Sequence, residues 1–120
     1  MFASLEILRM AQSYATHAAT RQQAVSQNVA NADTPGYRAR DVVPFAEFWQ
    51  QTAGRSDQAP PPRPVDLIHP DADPATVSPD GNTVSLEHEM MRAVSARQQH
   101  EMALGIYSMA RDLLRASLGR

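Results

Sequence analysis

Small and apolar residues recur with a seven-residue period over the first part of the chain. Two positions of this heptad repeat are held mostly by small side chains: Met1, Leu8, Ala15, Gln22 and Val29 at one, and Ser4, Ala11, Ala18, Val25 and Ala32 at the other. Such a repeat is typical of a helix that packs along a narrow seam against a second helix. It predicts a helix from about Leu5 to Ala32, roughly 42 Å long, with Ser4 as the N-cap.

A second helix is predicted at the end of the chain, where Ser85 suits the N-cap position and Glu87 and Glu89 suit the first turn. Two apolar stripes can be drawn on it, namely Leu86, Met90, Ala93, Leu104, Tyr107, Leu114 and Leu118, and Met91, Val94, Met102, Ile106, Met109 and Leu113. Because one antiparallel partner cannot bury both stripes, we expect either that other chains cover the excess or that the surface is adhesive. The methionines among them fit a helix core or an adaptable binding face equally well.

Proline placement divides the chain into three parts. All nine prolines lie between Thr34 and Asp80, and the flanks contain none. We therefore expect one mainly α domain with an N-terminal helix in 1–33, a Pro-rich connecting segment in 34–84 and a C-terminal helix in 85–120. The two long helices are predicted to pair as a coiled-coil-like hairpin, with an irregular middle segment that contains at most minor β structure.

The connecting segment contains several short patterns. Val42–Trp49 fits either a short helix or an extended arm, and Ala59–Val65 favours polyproline II. Short strands are expected around Pro64–Ile68 and Thr76–Val77. Three neighbouring aromatic residues fit either a docking patch or a local satellite core under the arm: Phe45, Phe48 and Trp49.

The run Gln27–Tyr37 is built to end the first helix. Its Asn and Asp side chains compete for backbone hydrogen bonds, and Pro35 disfavours helical dihedrals at Thr34. Gly36 supplies the conformational freedom that a chain reversal needs, and Tyr37 offers a large amphipathic surface just beyond it. We interpret the run as a mechanical joint that sets where the chain leaves the helix.

Neither the composition nor the motifs indicate a catalytic or metal-binding site. The net charge is −2, so the charge does not indicate nucleic-acid binding, and all eleven basic residues are Arg. Because there is no Cys, thiol catalysis and thiolate metal sites are excluded. The start of the sequence shows no Sec signal peptide, and no run is long and apolar enough to span a membrane. His88–Arg92 begins like the zinc motif His-Glu-x-x-His, but Arg92 replaces the second ligand. His69–Asp73 is interpreted as a solvated acidic loop, and His17 and His100 as packed or surface histidines.

Three segments carry a family resemblance. Gln27–Arg38 resembles the N-terminal signature of bacterial flagellar rod and hook proteins, while Val84–Val94 and the tail at 103–107 and 113–120 are similar to the C-terminal helix of a proximal-rod member. The chain is identified as a member of the flagellar basal-body rod protein family. The nearest alternative is another short axial rod or hook subunit; from a different class, a soluble helical-hairpin adaptor or secretion chaperone is kept open. The enzyme alternative has no constellation of residues to support it.

The resemblance implies a non-enzymatic building block of the rod, which transmits torque across the periplasm. The implied partners are copies of the same chain, other rod proteins, the adapter between the rod base and the MS ring, and the export gate region. The implied route of export is the flagellar type III channel, which reads no Sec signal. No cofactor, metal, nucleic acid or membrane span is expected.

The residues expected to serve assembly or packing fall into three groups. They are Leu8, Ala11, Ala15, Ala18, Val25 and Val29 on the first helix, Asn31, Thr34, Pro35, Gly36 and Tyr37 at its end, and Met90, Val94, Leu104, Ile106, Tyr107, Leu114 and Leu118 on the last helix.

Overall fold

The computed structural model describes residues 2–53, 67–71, 74 and 76–119. Its elements are α1 (Phe2–Ala30), β1 (Arg40–Val42), α2 (Phe45–Ala53), β2 (Ile68–Pro70) and α3 (Leu86–Gly119). The predicted mainly α fold with two long terminal helices is confirmed. None of the described helices is both long enough and apolar enough to cross a bilayer.

The two long helices form an antiparallel pair. Hydrogen bonds along the pair join Asn28 to Glu89, Gln22 to Ala93 and Gln99 to Tyr14, so the partner positions rise on α3 as they fall on α1. The buried apolar residues of the seam are small and spaced by sevens on both helices: Ala11, Ala18 and Val25 on α1, and Ala96, Ala103 and Ala110 on α3. Small side chains let two backbones approach closely, which is why a seam made mainly of Ala can hold the pair.

The structure confirms one of the two heptad positions predicted for α1 as the seam. The other position is less buried: Leu8, Ala15 and Gln22 are half-buried, and the Val29 side chain is 48% exposed. The helix starts at Phe2, so Ser4 lies within it and the predicted N-cap at Ser4 is wrong. It ends at Ala30 and not Ala32, and tighter turns follow, in which the Ala32 amide donates to the Val29 carbonyl.

On α3 the start is confirmed, and the apolar surface that one partner cannot bury is indeed exposed, but the buried face coincides with neither predicted stripe. The helix begins at Leu86, directly after Ser85, whose Oγ accepts a hydrogen bond from the His88 amide at 3.4 Å. The buried positions lie between the two predicted stripes and are Glu89, Ala96, Gln99, Ala103 and Ala110. Both predicted stripes are defined by large apolar side chains. The seam between the helices is narrow, however, and has room only for Ala and for hydrogen-bonded polar groups.

The described parts of the connecting segment contain two short strands and a helix. Val42–Trp49 contains the end of β1 and the start of α2, so of the two alternatives, a short helix or an extended arm, the structure has the short helix. β1 and β2 pair antiparallel, with Arg40 opposite Pro70 and Val42 opposite Ile68. The strand expected around Pro64–Ile68 begins only at Ile68, with 64–66 outside the described residues, and Thr76–Val77 forms no strand. The polyproline run Ala59–Val65 also lies outside the described residues.

A small core joins this segment to α1. Val42 and Leu67 are buried against Ala24, and partly buried neighbours surround them. The Phe45 ring lies 4.7 Å from Tyr14 and 6.0 Å from the Trp49 ring, measured between ring centres. Of the two interpretations of the aromatic residues, the local satellite core is the one that the structure supports.

Candidate assembly joint and surfaces

The residues after α1 form a compact joint. Asn31 donates through Nδ2 to the Gln27 carbonyl at 2.8 Å, and its Oδ1 accepts from the Thr34 hydroxyl at 3.1 Å. The Thr34 amide donates to the Asn31 carbonyl and the Tyr37 amide to the Thr34 carbonyl. The predicted stop therefore exists as a series of short-range hydrogen bonds, with Thr34, Pro35 and Gly36 exposed to solvent.

Asn82 holds this joint from the far end of the connecting segment. The side chain is buried, and Nδ2 donates to the carbonyls of Asn31 at 2.9 Å and Thr34 at 2.8 Å. Its Oδ1 accepts from the Val84 amide at 2.8 Å. The Gly36 amide also donates to the Asp80 carbonyl at 2.9 Å. The Asn31 and Thr34 carbonyls, which each accept a backbone amide within the joint, thus receive a second donor from the segment directly before α3.

Gly36 is required at the joint because its φ is +73°. Replacing Gly36 with Ala is expected to cost about 1–2 kcal/mol of unfolding free energy, since a Cβ in this region meets the carbonyl oxygen. Gly105 is the matched control, because it lies inside α3 with nothing within 4 Å of an added Cβ. There Ala is expected to stabilise by about 1 kcal/mol. Urea unfolding of both variants measures the two effects, and the same sign for both would contradict the assignment of Gly36.

Asn28 is the centre of a buried polar cluster beside the joint. The residue is fully buried, and Nδ2 donates to the Arg40 carbonyl at 2.8 Å and to Glu89 Oε1 at 3.0 Å. Its Oδ1 accepts from the Arg40 amide at 2.9 Å and from the Tyr37 hydroxyl at 3.1 Å. All four hydrogen-bonding positions of the amide are used. One side chain thereby joins α1, the chain after the joint, and α3.

Glu89 and Arg92 extend the cluster across to the small sheet. Arg92 contacts Glu89 Oε1 at 3.1 Å, Asp71 Oδ2 at 2.6 Å and Asp41 Oδ2 at 3.6 Å. Burial acts to lower the pKa of Arg92, but these carboxylates outweigh it and raise that pKa. Burial also raises the pKa of the Tyr37 phenol. Glu89 lies in the first turn of α3, as predicted, and its side chain is only 1% exposed.

The charged side chains of this cluster pair with one another. Arg92, which stands where the zinc motif would need its second histidine, is ion-paired with Glu89. Within the described part of the chain, no group of three or more His, Asp or Glu side chains is arranged to hold a metal ion. The cluster fixes how the joint, the sheet and α3 meet.

The outer surface of α3 exposes many large apolar side chains among charged residues such as Arg97 and Glu101. Exposed fractions reach 70% at Met91, 68% at Met109 and 66% at Leu113. Most of the α3 residues that were expected to serve assembly or packing are exposed in the single chain, namely Met90, Val94, Leu104, Ile106, Tyr107 and Leu118, and Leu114 is half-buried. A small chain that exposes this many large apolar side chains on one helix is typical of a protein that forms an interface.

The sequence pattern indicates only local roles for Asn28 and Glu89, in the run that ends α1 and in the first turn of α3, and no role at the joint for Asn82. The available signal for Asn28 is its spacing: it lies four positions after the buried Ala24 and therefore on the same face of α1. Nothing in the local sequence identifies Asn82 as the donor to a helix end about fifty residues earlier.

Comparisons with known proteins agree with one another. Residues 8–38, which cover most of α1 and the joint, match the family model described as flagella basal body rod protein. The chain is similar to the flagellar basal body rod protein FlgB of Escherichia coli strain K12, with 31% identity covering 84% of each chain. The corresponding protein of Salmonella typhimurium is 30% identical over 82% of this chain and 83% of its own. That of Yersinia ruckeri is 36% identical over 68% and 71%.

Proposed function

Since this chain belongs to the flagellar basal body rod protein family, we propose that it is a structural subunit of the proximal rod and assembles through the outer surface of α3. Family membership supports the structural role, and the named relatives support assembly with other rod components. The observation that carries the choice of surface is the exposure of large apolar side chains along α3.

The exposed surface needs neighbours because the hairpin cannot cover it. The seam buries Ala side chains, so the larger apolar groups of α3 remain in water, and Leu5, Ile7 and Met10 of α1 are also exposed. Burying an exposed Met or Leu side chain is worth about 1.5–3 kcal/mol before the costs of association. Contacts between different faces of successive copies give an open helical polymer, which is the form that a rod requires.

The remaining parts of the proposal rest on family membership. We place the chain in the rod as it crosses the periplasm, with the export gate and the adapter to the MS ring as further neighbours at its base. Export would proceed through the flagellar type III channel. We propose no catalytic activity, since the titratable cluster around Glu89 is paired internally.

Complementation of a strain that lacks the corresponding gene tests the surface. Met109→Glu is expected to fold normally, because a substitution at an exposed site changes stability by less than about 0.5 kcal/mol. It should nevertheless fail to restore swimming, since a carboxylate would be buried at the contact between subunits. Gln23→Glu, an exposed change of the same charge on α1, is the matched control and should restore swimming.

Three results would contradict the proposal in different ways. Normal swimming with Met109→Glu would show that this part of α3 is not at an interface, while the rod role would stand. Normal basal-body rods in the deletion strain itself would overturn the rod role. A closed dimer of the purified chain, stable on dilution, would instead favour the helical-hairpin adaptor.

A further inference from the structure

His17 is buried where three elements meet. It lies on α1, its Nε2 is 2.6 Å from the Val43 carbonyl oxygen just before α2, and its Nδ1 is 2.8 Å from Gln99 Nε2 on α3. The imidazole packs edge-on against Phe45, with 5.6 Å between ring centres, and lies 6.4 Å from the Phe48 ring. Because carbonyl oxygens only accept, Nε2 must carry the hydrogen.

The Gln99 amide is held in one orientation by its other partners. Its Nε2 donates both to His17 Nδ1 and to the Tyr14 carbonyl at 3.1 Å. Its Oε1 accepts from the Arg21 guanidinium at 3.3 Å. Turning the amide over would place its NH₂ group against the Arg21 guanidinium and its Oε1 against the Tyr14 carbonyl oxygen, so both contacts would become repulsive. The network therefore accepts only the neutral imidazole with a lone pair on Nδ1.

We propose that His17 is a proton-sensitive latch, which links the aromatic rings of α2 to Gln99 of α3 and loosens on acidification, while its Nε2–H bond to the Val43 carbonyl persists. A proton added at Nδ1 would face the Gln99 NH₂ group, donor against donor, and place a charge among Phe45 and Phe48. The contact with α3 is then lost, and the packing of the α2 aromatic rings on the imidazole loosens. The latch concerns the connecting segment and does not depend on the assembly surface of α3.

The charged groups around His17 do not make its protonated form favourable. Arg21 on α1 opposes a second positive charge, and Asp41 on β1 favours it, while α3 presents the neutral Gln99 and α2 presents aromatic rings. Burial is the largest influence and lowers the pKa of His17, outweighing the hydrogen bond to the Val43 carbonyl, which acts to raise it. A lowered folded-state pKa means that the latch is fully stable above the ordinary imidazole value of about 6.5 and weakens as the pH falls through the lower value.

Trp49 is the reporter for the experiment, since it is the single Trp of the chain and its ring stacks on Phe45. Purified full-length chain is titrated from about pH 8 to about pH 5 while Trp49 fluorescence and helix content are recorded. The emission of the natural chain should shift reversibly to longer wavelength, with a midpoint below the pKa of His17 in the urea-unfolded chain, while most of the helix content remains.

Two variants test whether protonation of His17 causes that transition. His17→Gln keeps a neutral donor for the Val43 carbonyl and should lose most of the pH-dependent amplitude, whereas His100→Gln, on α3 outside this network, should keep it. Nitrogen NMR of the natural chain provides a second readout that needs no variant, and should show the Nε2–H tautomer at high pH. An unchanged transition in His17→Gln, the opposite tautomer, or constant Trp49 emission over the whole range would each overturn the latch.

Discussion

Replacing Asn28 with Ala is expected to lower the free energy of unfolding by about 3–5 kcal/mol. The variant leaves Glu89, whose Oε2 already has no hydrogen-bond partner among the described residues, without the Asn28 donor to its Oε1. It also removes both partners of the Arg40 backbone and the acceptor of the Tyr37 hydroxyl. Each buried group left unpaired adds its own cost, so the loss exceeds that of one hydrogen bond.

Urea unfolding of the purified chain, followed by circular dichroism, measures this loss. Gln27→Ala is the matched control, because Gln27 is the preceding residue on α1 and its side chain is exposed. It should change stability by less than about 0.5 kcal/mol. A small domain is stable by only about 5–15 kcal/mol, so a largely unfolded Asn28→Ala chain would agree with the expectation. A loss similar to that of Gln27→Ala would show that the cluster does not hold the joint.

Replacing Ala18 with Leu is expected to cost about 1–3 kcal/mol, or more if the helices cannot move apart. Ala18 is fully buried in the seam, where Ala96 and Ala103 of α3 are buried too. Three additional carbon atoms must force α1 and α3 apart, and this strains the hydrogen bond from Gln22 to the Ala93 carbonyl of α3. At Ala15, which is only half-buried, the same change should cost less.

Ala19→Leu provides the control for this prediction. Ala19 is the next residue on α1 and is exposed, so the added side chain meets solvent and stability should stay within about 0.5 kcal/mol. Thermal and urea unfolding of the two variants give the comparison. Equal stability of Ala18→Leu and the natural chain would mean that the seam has room for a large side chain, contrary to its close packing.

Local physics explains what could be predicted from the sequence. The absence of proline from both flanks and the heptad spacing of Ala11, Ala18 and Val25 are enough to indicate two long paired helices. The joint could be predicted for the same reason, because Pro35 and Gly36 restrict or permit backbone conformations only at and next to their own positions. Helix ends were less accurate, because capping competes with tertiary contacts within a residue or two.

Local sequence patterns could not show which face of α3 is buried. Hydrophobicity favours stripes of Met and Leu, but the face that packs is set by how closely α1 can approach, and α1 presents mainly Ala. Ala96, Ala103 and Ala110 match that separation, and Gln99 fits among them because Tyr14, His17 and Arg21 supply its partners. The large residues are then left outside, where they form the proposed assembly surface.

The sequence by itself determined the helical hairpin, the place where α1 stops and the family of the chain, because these depend on residues close together along the chain. Only the tertiary structure decided that Asn82 closes the joint, that Asn28 pairs with Glu89, and that His17 bonds Gln99. Their partners are separated by 51, 61 and 82 positions, respectively. A polar side chain gives no local sign of which distant donor or acceptor it will meet, so its role appears only once the helices are packed.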